Sequence, residues 1–529
     1  MGKFEGFVVN GKPFYPIGAQ AHNSSSYTEA DFRHAALCAK NLCCNTIEAP
    51  VYWHKIEPEE GVFDFTSIKY MIDVSREFGL KLVVLWFATW KNGDMSYCPA
   101  YVKADTARFP RALRPDGVKL QNLSSHVAVN MQADANAYTK LMEYIKGVDE
   151  TEQTVIAMQI ENEPGYLKSD RDYRDEAERD LKSDVPRGLV KYVESRGCGF
   201  PFEQWVKNGS KTGGTWEDVF GIHGIEFCEA YFTARYIDFV GERGKAVYDI
   251  PMYVNVWLGG GDFNIPGFGY PGGGAMLKVL DMWKFDAPHI DFIAPDIYIQ
   301  NYRAYIEQCD GYDRDDNPLF VPESAAHGPN AAYMFYAIGE RNAIGYAIFG
   351  VESAFEADGT IKPDTVAMRE SNRFLQNALP LLYRYRGTGK MYSVVQEELA
   401  AQANYEFEKY YGCVKFAFGP GYMGQGTGYK GRNCHPAETP LPIRGLIFET
   451  GPDEFYLVGN FHLKLAIKAS PDRCSSANGS PAVDFASVEE GYFDDSGEFV
   501  VKDERNGDEV MFGDFWAAPH SGVTRVRLL

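Results

Sequence analysis

Short runs of β-branched and aromatic residues alternate with longer segments of helical period over roughly the first two thirds of the chain. This alternation is typical of parallel βα units, in which a helix follows each strand and packs on the sheet. The predicted strands are residues 14–20, 46–49, 81–87, 155–160, 252–256, 292–297, 319–322 and 345–349. Eight such strands predict a closed (β/α)8 barrel, the TIM-barrel fold.

Helical patterns fill the gaps between the predicted strands. Residues 65–78 and 136–146 show the spacing of apolar positions that is expected of helices packed on a sheet. Gly79 directly follows the first of these segments and should end that helix, because glycine adopts the left-handed conformation of a helix C-terminus without strain.

Two connections are unusually long. Residues 170–194, after the fourth strand, are highly charged, and residues 259–274, after the fifth, are rich in glycine. Loops that follow barrel strands build the active face, so we expect both to shape a substrate pocket. The glycine-rich loop, with Phe263, Phe268 and Tyr270, should form a flexible wall, whereas a solvated decoration is an equal alternative for the charged loop.

The character of the sequence changes near residue 376, where alternating apolar positions and turn signals replace the βα pattern. Alternation in residues 455–458 and 524–528 indicates antiparallel strands. The turn signals are at residues 387–389, 494–497 and 506–508. We therefore predict a barrel domain over residues 1–375 and a smaller, sandwich-like antiparallel β domain over residues 376–529.

Composition excludes several classes of protein. The formal charge of −21, with no run of Lys and Arg, argues against a nucleic-acid partner. No segment approaches the roughly 18 apolar residues of a membrane helix, and the N-terminus has no signal-peptide pattern, which together predict a cytoplasmic protein with no membrane contact. The ten cysteines lack C-x-x-C spacing, so neither a disulfide framework nor a metal site is expected. A homo-oligomer remains possible through the β domain.

Two glutamates carry the strongest chemical signal. Glu163 and Glu323 each follow an apolar run, at the ends of the predicted fourth and seventh strands. Hydrolysis of a glycosidic bond with retention needs one carboxyl as acid and base and a second, about 5–5.5 Å away, as nucleophile. A single glutamate is ordinarily a solvated surface charge, but the strand order predicts Glu163 as the acid/base and Glu323 as the nucleophile. This chemistry requires no cofactor.

Neighbouring residues fit the same interpretation. Asn162 is placed to donate to the sugar 2-hydroxyl, a hydrogen bond that strengthens in the transition state. Glu161 should face away, because side chains alternate along a strand. Tyr298, at the end of the sixth strand, either keeps Glu323 ionised by donating its hydroxyl or is a core tyrosine.

The Asn-Glu-Pro motif and the distant glutamate resemble a large clan of retaining barrel glycosidases. Residues 45–65, NTIEAPVYWHKIEPEEGVFDF, are similar to the second-strand region of β-galactosidases of glycoside hydrolase families 35 and 42. Residues 85–93, LWFATWKNG, with 108–111, RFPR, and 445–455, GLIFETGPDEF, resemble a bacterial branch of family 35. The resemblance covers nearly the whole chain and implies an exo-acting β-galactosidase that takes a terminal sugar of an oligosaccharide or glycoside into a pocket.

Further residues at two strand ends are candidates for substrate binding. The candidates that follow the first and third strands are Gln20, His22, Asn23, Trp90, Lys91 and Asn92. By position they would bind hydroxyl groups or stack on a sugar face, although His22 is equally compatible with a structural role and Trp90 with the core. Two alternatives stay open for function: the same chemistry on another β-glycoside, such as a β-glucoside or an α-L-arabinopyranoside, or a non-catalytic carbohydrate-binding protein.

Overall fold

The computed structural model of the protein describes residues 3–95, 97–259, 264–416, 442–468, 483–505, 510 and 514–529. Within these residues the strands are β1 Phe7–Val9, β2 Lys12–Phe14, β3 Ile17–Gln20, β4 Thr46–Tyr52, β5 Lys81–Lys91, β6 Arg111–Leu113, β7 Lys119–Leu123, β8 Val155–Asn162, β9 Met252–Trp257, β10 Phe292–Asp296, β11 Tyr346–Phe349, β12 Met391–Val395, β13 Gln402–Glu406, β14 Tyr410–Lys415, β15 Arg444–Gly451, β16 Glu454–Ile467, β17 Phe485–Phe493, β18 Phe499–Glu504, β19 Asp514–Ala517 and β20 Val523–Leu528. Phe263 and the turn predicted at 506–508 lie outside the described residues.

The α-helices of the described residues flank the parallel strands or join them. They are α1 Glu29–Asn41, α2 Trp53–Ile56, α3 Thr66–Phe78, α4 Ala100–Ala104, α5 Ala128–Asp149, α6 Asp175–Leu181, α7 Arg187–Arg196, α8 Phe200–Lys207, α9 Trp216–Phe220, α10 Gly224–Lys245, α11 Leu280–Asp286, α12 Tyr302–Tyr312, α13 Asn330–Gly339 and α14 Val366–Tyr385. The predicted end of α3 is confirmed: Gly79 adopts φ 62° and its N–H donates to the carbonyls of Ser75 and Arg76. None of these helices combines the length and apolar composition needed to cross a bilayer.

The parallel strands form a curled seven-stranded sheet in the order β10-β9-β8-β5-β4-β3-β11. The gap between β10 and β11 is bridged by the predicted seventh strand, which makes only isolated parallel bridges: Ser324 with Ile297 and Val321 with Tyr346. The prediction of a regular strand at residues 319–322 is therefore wrong. Prolines at 318 and 322 remove two of the N–H donors that a continuous ladder needs. The architecture is nevertheless TIM-barrel-like, as predicted.

Several strand boundaries also differ from prediction. The first predicted strand is split between β2 and β3, and Pro16, which cannot donate to a ladder, lies between them. β4, β5 and β8 run past their predicted ends to Tyr52, Lys91 and Asn162. The polar residues Lys91 and Asn162 therefore lie on strands rather than on loops.

The long loops after β8 and β9 are joined by backbone hydrogen bonds. Tyr166 and Gly272 exchange N–H to carbonyl bonds of 2.9 Å in both directions, and the Lys168 N–H donates to the Gly267 carbonyl at 2.8 Å. A Cβ at Gly267, which has φ +81°, would lie 2.1 Å from the Ser169 carbonyl oxygen, so only glycine fits this contact. Residues 264–274 of the glycine-rich loop are thus held against the loop after β8, with Tyr270 buried and Phe268 exposed. Flexibility of this loop stays a prediction.

The charged loop after β8 folds into α6 and α7 and is tied to the barrel by a buried histidine. His126 Nδ1 lies 2.8 Å from Asp180 Oδ2, and His126 Nε2 lies 3.4 Å from Glu229 Oε2. Burial opposes the charged imidazolium, but the carboxylates of Glu229 and Asp180 outweigh it and raise the pKa of His126 to about 9. This loop is therefore anchored through a buried cation, which a solvated decoration would not need.

The C-terminal part is an antiparallel sheet domain in the order β12-β15-β16-β20-β17-β18, with its own apolar core. It joins the barrel through α14 and the fully buried Arg444. The Arg444 guanidinium donates to Ser371 Oγ at 2.6 Å and to the Ala367 carbonyl at 2.9 Å. Because α14 runs through residue 375, the chain passes between the two parts inside a helix, and the division at residues 375 and 376 stays a prediction.

We predict that His126 makes the stability of the protein fall with rising pH. The pKa is raised from 6.5 to about 9, so this contribution is complete below pH 6.5 and is lost as the pH rises through about 9. It amounts to about 3 kcal/mol. Urea unfolding of His126→Gln should show lower stability at pH 6.5 and a flatter alkaline slope. His289→Gln, which alters a histidine–aspartate pair with a more exposed ring, is the matched control. Equal slopes for wild type and His126→Gln would contradict the prediction.

Candidate active site

The carboxylate of Glu323 is the meeting point of four hydrogen-bond donors at the carboxyl end of the barrel. Its donors are Gln20 Nε2 at 3.0 Å, Asn162 Nδ2 at 3.4 Å, Asn255 Nδ2 at 3.5 Å and Tyr298 Oη at 2.7 Å. They come from β3, β8, β9 and the residues after β10. Donors of this kind favour the ionised form of a carboxyl group. The arrangement fixes the position of the Glu323 carboxyl group.

The second glutamate, Glu163, lies in an environment that favours its protonated form. It follows β8 with φ +47°, in the left-handed region that a side chain rarely adopts. Its N–H donates to Asn255 Oδ1 at 2.8 Å, which fixes this conformation. Burial, and then the negative charge of Glu323, raise the pKa of Glu163 to about 8, against a smaller opposing effect of Lys91. This raised pKa favours the protonated form of Glu163, the form that can act as an acid.

Both glutamates line one cavity of about 520 Å³. Its polar and charged lining consists of Asn23, Lys91, Asn92, Glu163, Asp296 and Glu323. The rest of its lining consists of Trp257, Leu258, Gly259, Tyr298, Ile299 and Phe349. The volume fits a small ligand, and the mixture of flat apolar surfaces with hydrogen-bonding groups suits a sugar ring.

Lys91 is the cation of this cavity. Its ammonium donates to Asn162 Oδ1 at 2.7 Å and to Asn92 Oδ1. Burial lowers the pKa of Lys91, and the carboxylates of Glu323 and Glu163 act in the opposite direction. Lys91 thereby orients Asn162, one of the donors to Glu323.

The predicted residues occupy three kinds of position. Asn23, Lys91, Asn92 and Tyr298 line the cavity, as do both glutamates. Gln20 and Asn162 lie buried behind Glu323 and contact its carboxylate. The Tyr298 hydroxyl donates to Glu323, so the alternative of a plain core tyrosine is wrong.

Trp90 and His22 stand outside the cavity lining. Trp90 is fully buried, with its ring centroid 4.8 Å from that of Tyr236, so its prediction as a sugar-stacking residue is corrected to a core residue. The register of β5 on β8 shifts between Trp86 and Lys91, and the side chain that reaches the cavity is that of Lys91. His22 Nε2 lies 2.6 Å from Ser353 Oγ, which favours the structural alternative for this histidine.

The predicted outward orientation of Glu161 is confirmed. Its carboxylate accepts from the N–H groups of Ala88, Thr89 and Trp90 at 3.2, 3.0 and 2.8 Å. These are backbone groups that the shifted register of β5 leaves free of the neighbouring strand. Glu161 therefore stabilises the end of β5 immediately before Lys91.

Sequence reasoning missed Asn255 and Asp296. Asn255 lies inside β9 and Asp296 ends β10, and the two are joined by a hydrogen bond of 2.8 Å from Asn255 Nδ2 to Asp296 Oδ2. A polar residue inside an otherwise apolar strand was the available signal for both. The aromatic lining residues Trp257 and Phe349 had no distinguishing signal, because large apolar residues at strand ends also fill cores.

Comparison with known protein families indicates a glycoside hydrolase. Residues 22–208 match the model of the family described as beta-galactosidase, glycoside hydrolase family 42, and residues 368–516 match a domain of unknown function (DUF5597). The chain carries a glycoside hydrolase domain. The matched region includes Lys91 and Glu163. Of the two predicted families it is family 42 that matches, and the resemblance to family 35 stays a prediction. No curated protein sequence matches the chain.

Solved structures with a similar backbone include three glycosidases. The catalytic domain of β-amylase from Paenibacillus polymyxa has 12% identity and a TM-score of 0.48, covering 67% of this chain and 97% of that one. The β-galactosidase from psychrophilic Marinomonas ef1 has 11% identity and a TM-score of 0.47, covering 69% and 60%. The β-galactosidase from Bacillus circulans sp. alkalophilus has 16% identity and a TM-score of 0.46, covering 69% of this chain and 56% of that one. The chain thus spans 60% or less of these two β-galactosidases.

We predict that replacing Glu323 with Gln lowers the pKa of Glu163. The negative charge of Glu323 is the second largest cause of the rise to about 8, and the amide removes it. Burial, the largest cause, stays, so the new pKa should lie between 4.5 and 8. A carbon-13 NMR titration of the Glu163 carboxyl, assigned with Glu163→Gln, measures it. The exposed Glu307→Gln on α12 is the control, and an unchanged pKa in Glu323→Gln would contradict the prediction.

Proposed function

We propose that the protein is a retaining exo-β-galactosidase that removes terminal, non-reducing β-D-galactosyl residues through a covalent glycosyl-enzyme intermediate. The observation that carries the proposal is the contrast between two carboxyls in one cavity. Glu323 accepts hydrogen bonds from four donors, whereas Glu163 is buried with its pKa raised to about 8. Environments that separate the protonation of two carboxyls assign the nucleophile and the acid.

In the first step the Glu323 carboxylate attacks the anomeric carbon while Glu163 gives its proton to the departing glycosidic oxygen. The bond from that carbon to the aglycone oxygen breaks, and an ester bond to Glu323 forms. Tyr298 and Asn162, which donate to the Glu323 carboxylate, orient it for attack. The negative charge passes from Glu323 to Glu163.

In the second step Glu163 acts as a base. It takes a proton from water, the water oxygen attacks the anomeric carbon, and the ester bond to Glu323 breaks. With Glu323 neutral in the ester, a like charge that opposes ionisation of Glu163 is absent, so the carboxylate form of Glu163 is the favoured one. Two inversions at the same carbon give overall retention.

The assignment to galactose is supported by the family match and by the polar end of the cavity. Asn23 Oδ1 is buried and has no hydrogen-bond partner among the described residues, and Lys91 and Asn92 lie in the same lining. These groups are available to sugar hydroxyls. Phe349 and Trp257 offer flat faces for the apolar side of a sugar ring.

We expect the wild-type enzyme to release the phenol from an aryl β-D-galactoside faster than from the β-D-glucoside or the α-L-arabinopyranoside. A difference of one hydrogen-bonded hydroxyl gives a site large discrimination in kcat/KM. The product should keep the β configuration when followed by NMR. Preference for another sugar would replace galactose in the proposal, and absence of hydrolysis with every glycoside would favour a carbohydrate-binding protein.

Replacing Glu323 with Ala should abolish turnover, because no other group attacks the anomeric carbon. Azide should restore part of the activity by entering the vacated space, and the product should be the glycosyl azide of inverted, α configuration. The matched control is Glu307→Ala, an exposed glutamate of α12, which should leave kcat/KM unchanged. Near-normal hydrolysis by Glu323→Ala would contradict the assignment of the nucleophile.

A further inference from the structure

A third carboxyl group, that of Asp296, lies in the cavity and has no place in the two-carboxylate scheme. It ends β10, is 4% exposed and lines the cavity beside Glu163. Asp296 Oδ2 accepts from Asn255 Nδ2 at 2.8 Å, while Asn255 Oδ1 accepts from the Glu163 N–H at 2.8 Å. One amide side chain therefore fixes Asp296 and Glu163 relative to each other.

The carboxyl groups of Glu163 and Asp296 also lie close enough to become hydrogen-bond partners once one of them is protonated. An ionised carboxylate only accepts hydrogen bonds, so a bond between the two requires a proton on one of them. Glu163 Oε2 and Asp296 Oδ1 are both buried and have no N–H or O–H donor among the described residues. Since Asn255 already donates to Oδ2, the oxygen of Asp296 that is left for a proton is Oδ1.

The surrounding charges favour a neutral Asp296. Burial raises the pKa of Asp296 well above its usual range. The carboxylate of Glu323 raises it further, as does Glu163 once Glu163 has lost its proton, and Lys91 acts in the opposite direction. Other titratable groups that face Asp296 are the phenols of Tyr253, Tyr298 and Tyr312. These phenols are themselves kept neutral by burial, and the cation that opposes the rise in the pKa of Asp296 is Lys91.

We propose that Asp296 is a protonated positioning residue that donates a hydrogen bond from Oδ1 to Glu163 throughout the reaction. The proposal rests on the proposed function and assigns a role to a residue outside the acid and nucleophile pair. Asp296 leaves the other oxygen of Glu163 to face the glycosidic oxygen. It also stabilises the Glu163 carboxylate that forms when the proton departs.

The protons balance without any further reactant. Before attack, Glu163 and Asp296 each hold one proton and Glu323 is an anion. Glu163 gives its proton to the aglycone oxygen and becomes the anion, while Asp296 keeps its proton and donates to it. Water then returns one proton to Glu163, its hydroxyl goes to the sugar, and Glu323 is released as a carboxylate.

The test compares Asp296→Leu, which removes the donor, with Asp296→Asn, whose amide keeps one. Without the donor the Glu163 carboxylate is less stable, so the basic limb of the kcat/KM profile of Asp296→Leu should move above about 8. The expected shift is about one pH unit, with kcat lower by about tenfold or more. Asp296→Asn should restore most of kcat and a basic limb near that of the wild type.

Glu48→Gln is the matched control. Glu48 is another buried carboxyl of the barrel, but it accepts from the Tyr253 hydroxyl at 2.9 Å and does not contact Glu163. Its replacement should leave the basic limb in place. Equal losses of kcat in Asp296→Leu and Asp296→Asn, with the basic limb unmoved in both, would overturn the proposal. A basic limb that moves to lower pH in Asp296→Leu would also overturn it, because removal of an anion has that effect.

A measurement on the free protein separates this proposal from the assignment of function. Above about pH 8, where Glu163 is ionised, infrared difference spectra should show a protonated-carboxyl C=O band in the wild type that Asp296→Asn lacks. Absence of this band would overturn the role of Asp296 even if the enzyme hydrolyses β-galactosides. Presence of the band would support it even if hydrolysis of every glycoside failed, and the measurement does not depend on folding of Asp296→Leu.

Discussion

The structure of the site depends on the ionised carboxylate of Glu323. The chain segment that carries it joins its neighbours through isolated bridges, and its position is fixed instead by backbone bonds and by side-chain donors. The Ile297 N–H donates to the Glu323 carbonyl at 2.9 Å, and the Phe349 N–H donates to the Ser324 carbonyl at 3.0 Å. Gln20, Asn162, Asn255 and Tyr298 then converge on the carboxylate. Closure of the barrel and the fixed position of the Glu323 carboxyl group are thus parts of one arrangement.

The charge of Glu323 also sets the protonation of its surroundings. Together with burial it raises the pKa of Glu163, and together with burial and Glu163 it raises the pKa of Asp296. Lys91 supplies one positive charge, which compensates one carboxylate. In the proposed mechanism this one negative charge passes from Glu323 to Glu163 and back during turnover.

A second set of interactions outside the cavity holds these groups in register. Glu161 accepts the free N–H groups at the end of β5, directly before Lys91. The loops after β8 and β9 are joined by backbone hydrogen bonds and approach each other closely at glycines. His126 pairs with Asp180 of α6 and holds that helix in place. Some buried acidic residues, such as Glu161, therefore stabilise the fold, whereas Glu163 and Glu323 line the cavity. Their hydrogen-bond partners distinguish the two groups.

The sequence by itself determined the class of fold, the end of α3 at Gly79, and the cavity positions of Glu163, Glu323, Lys91 and Asn92, because strand period and strand-end placement are local properties. Only the tertiary structure decided which side chains share the cavity. Trp90 turns into the core where β5 shifts its register, and the prolines flanking residues 319–321 leave bridges in place of a strand. Asn255 and Asp296 become partners of Glu163 because β8, β9 and β10 are neighbours in the closed sheet. Hydrogen bonds between residues far apart in sequence form only after the barrel brings their strands together, so no local pattern records them.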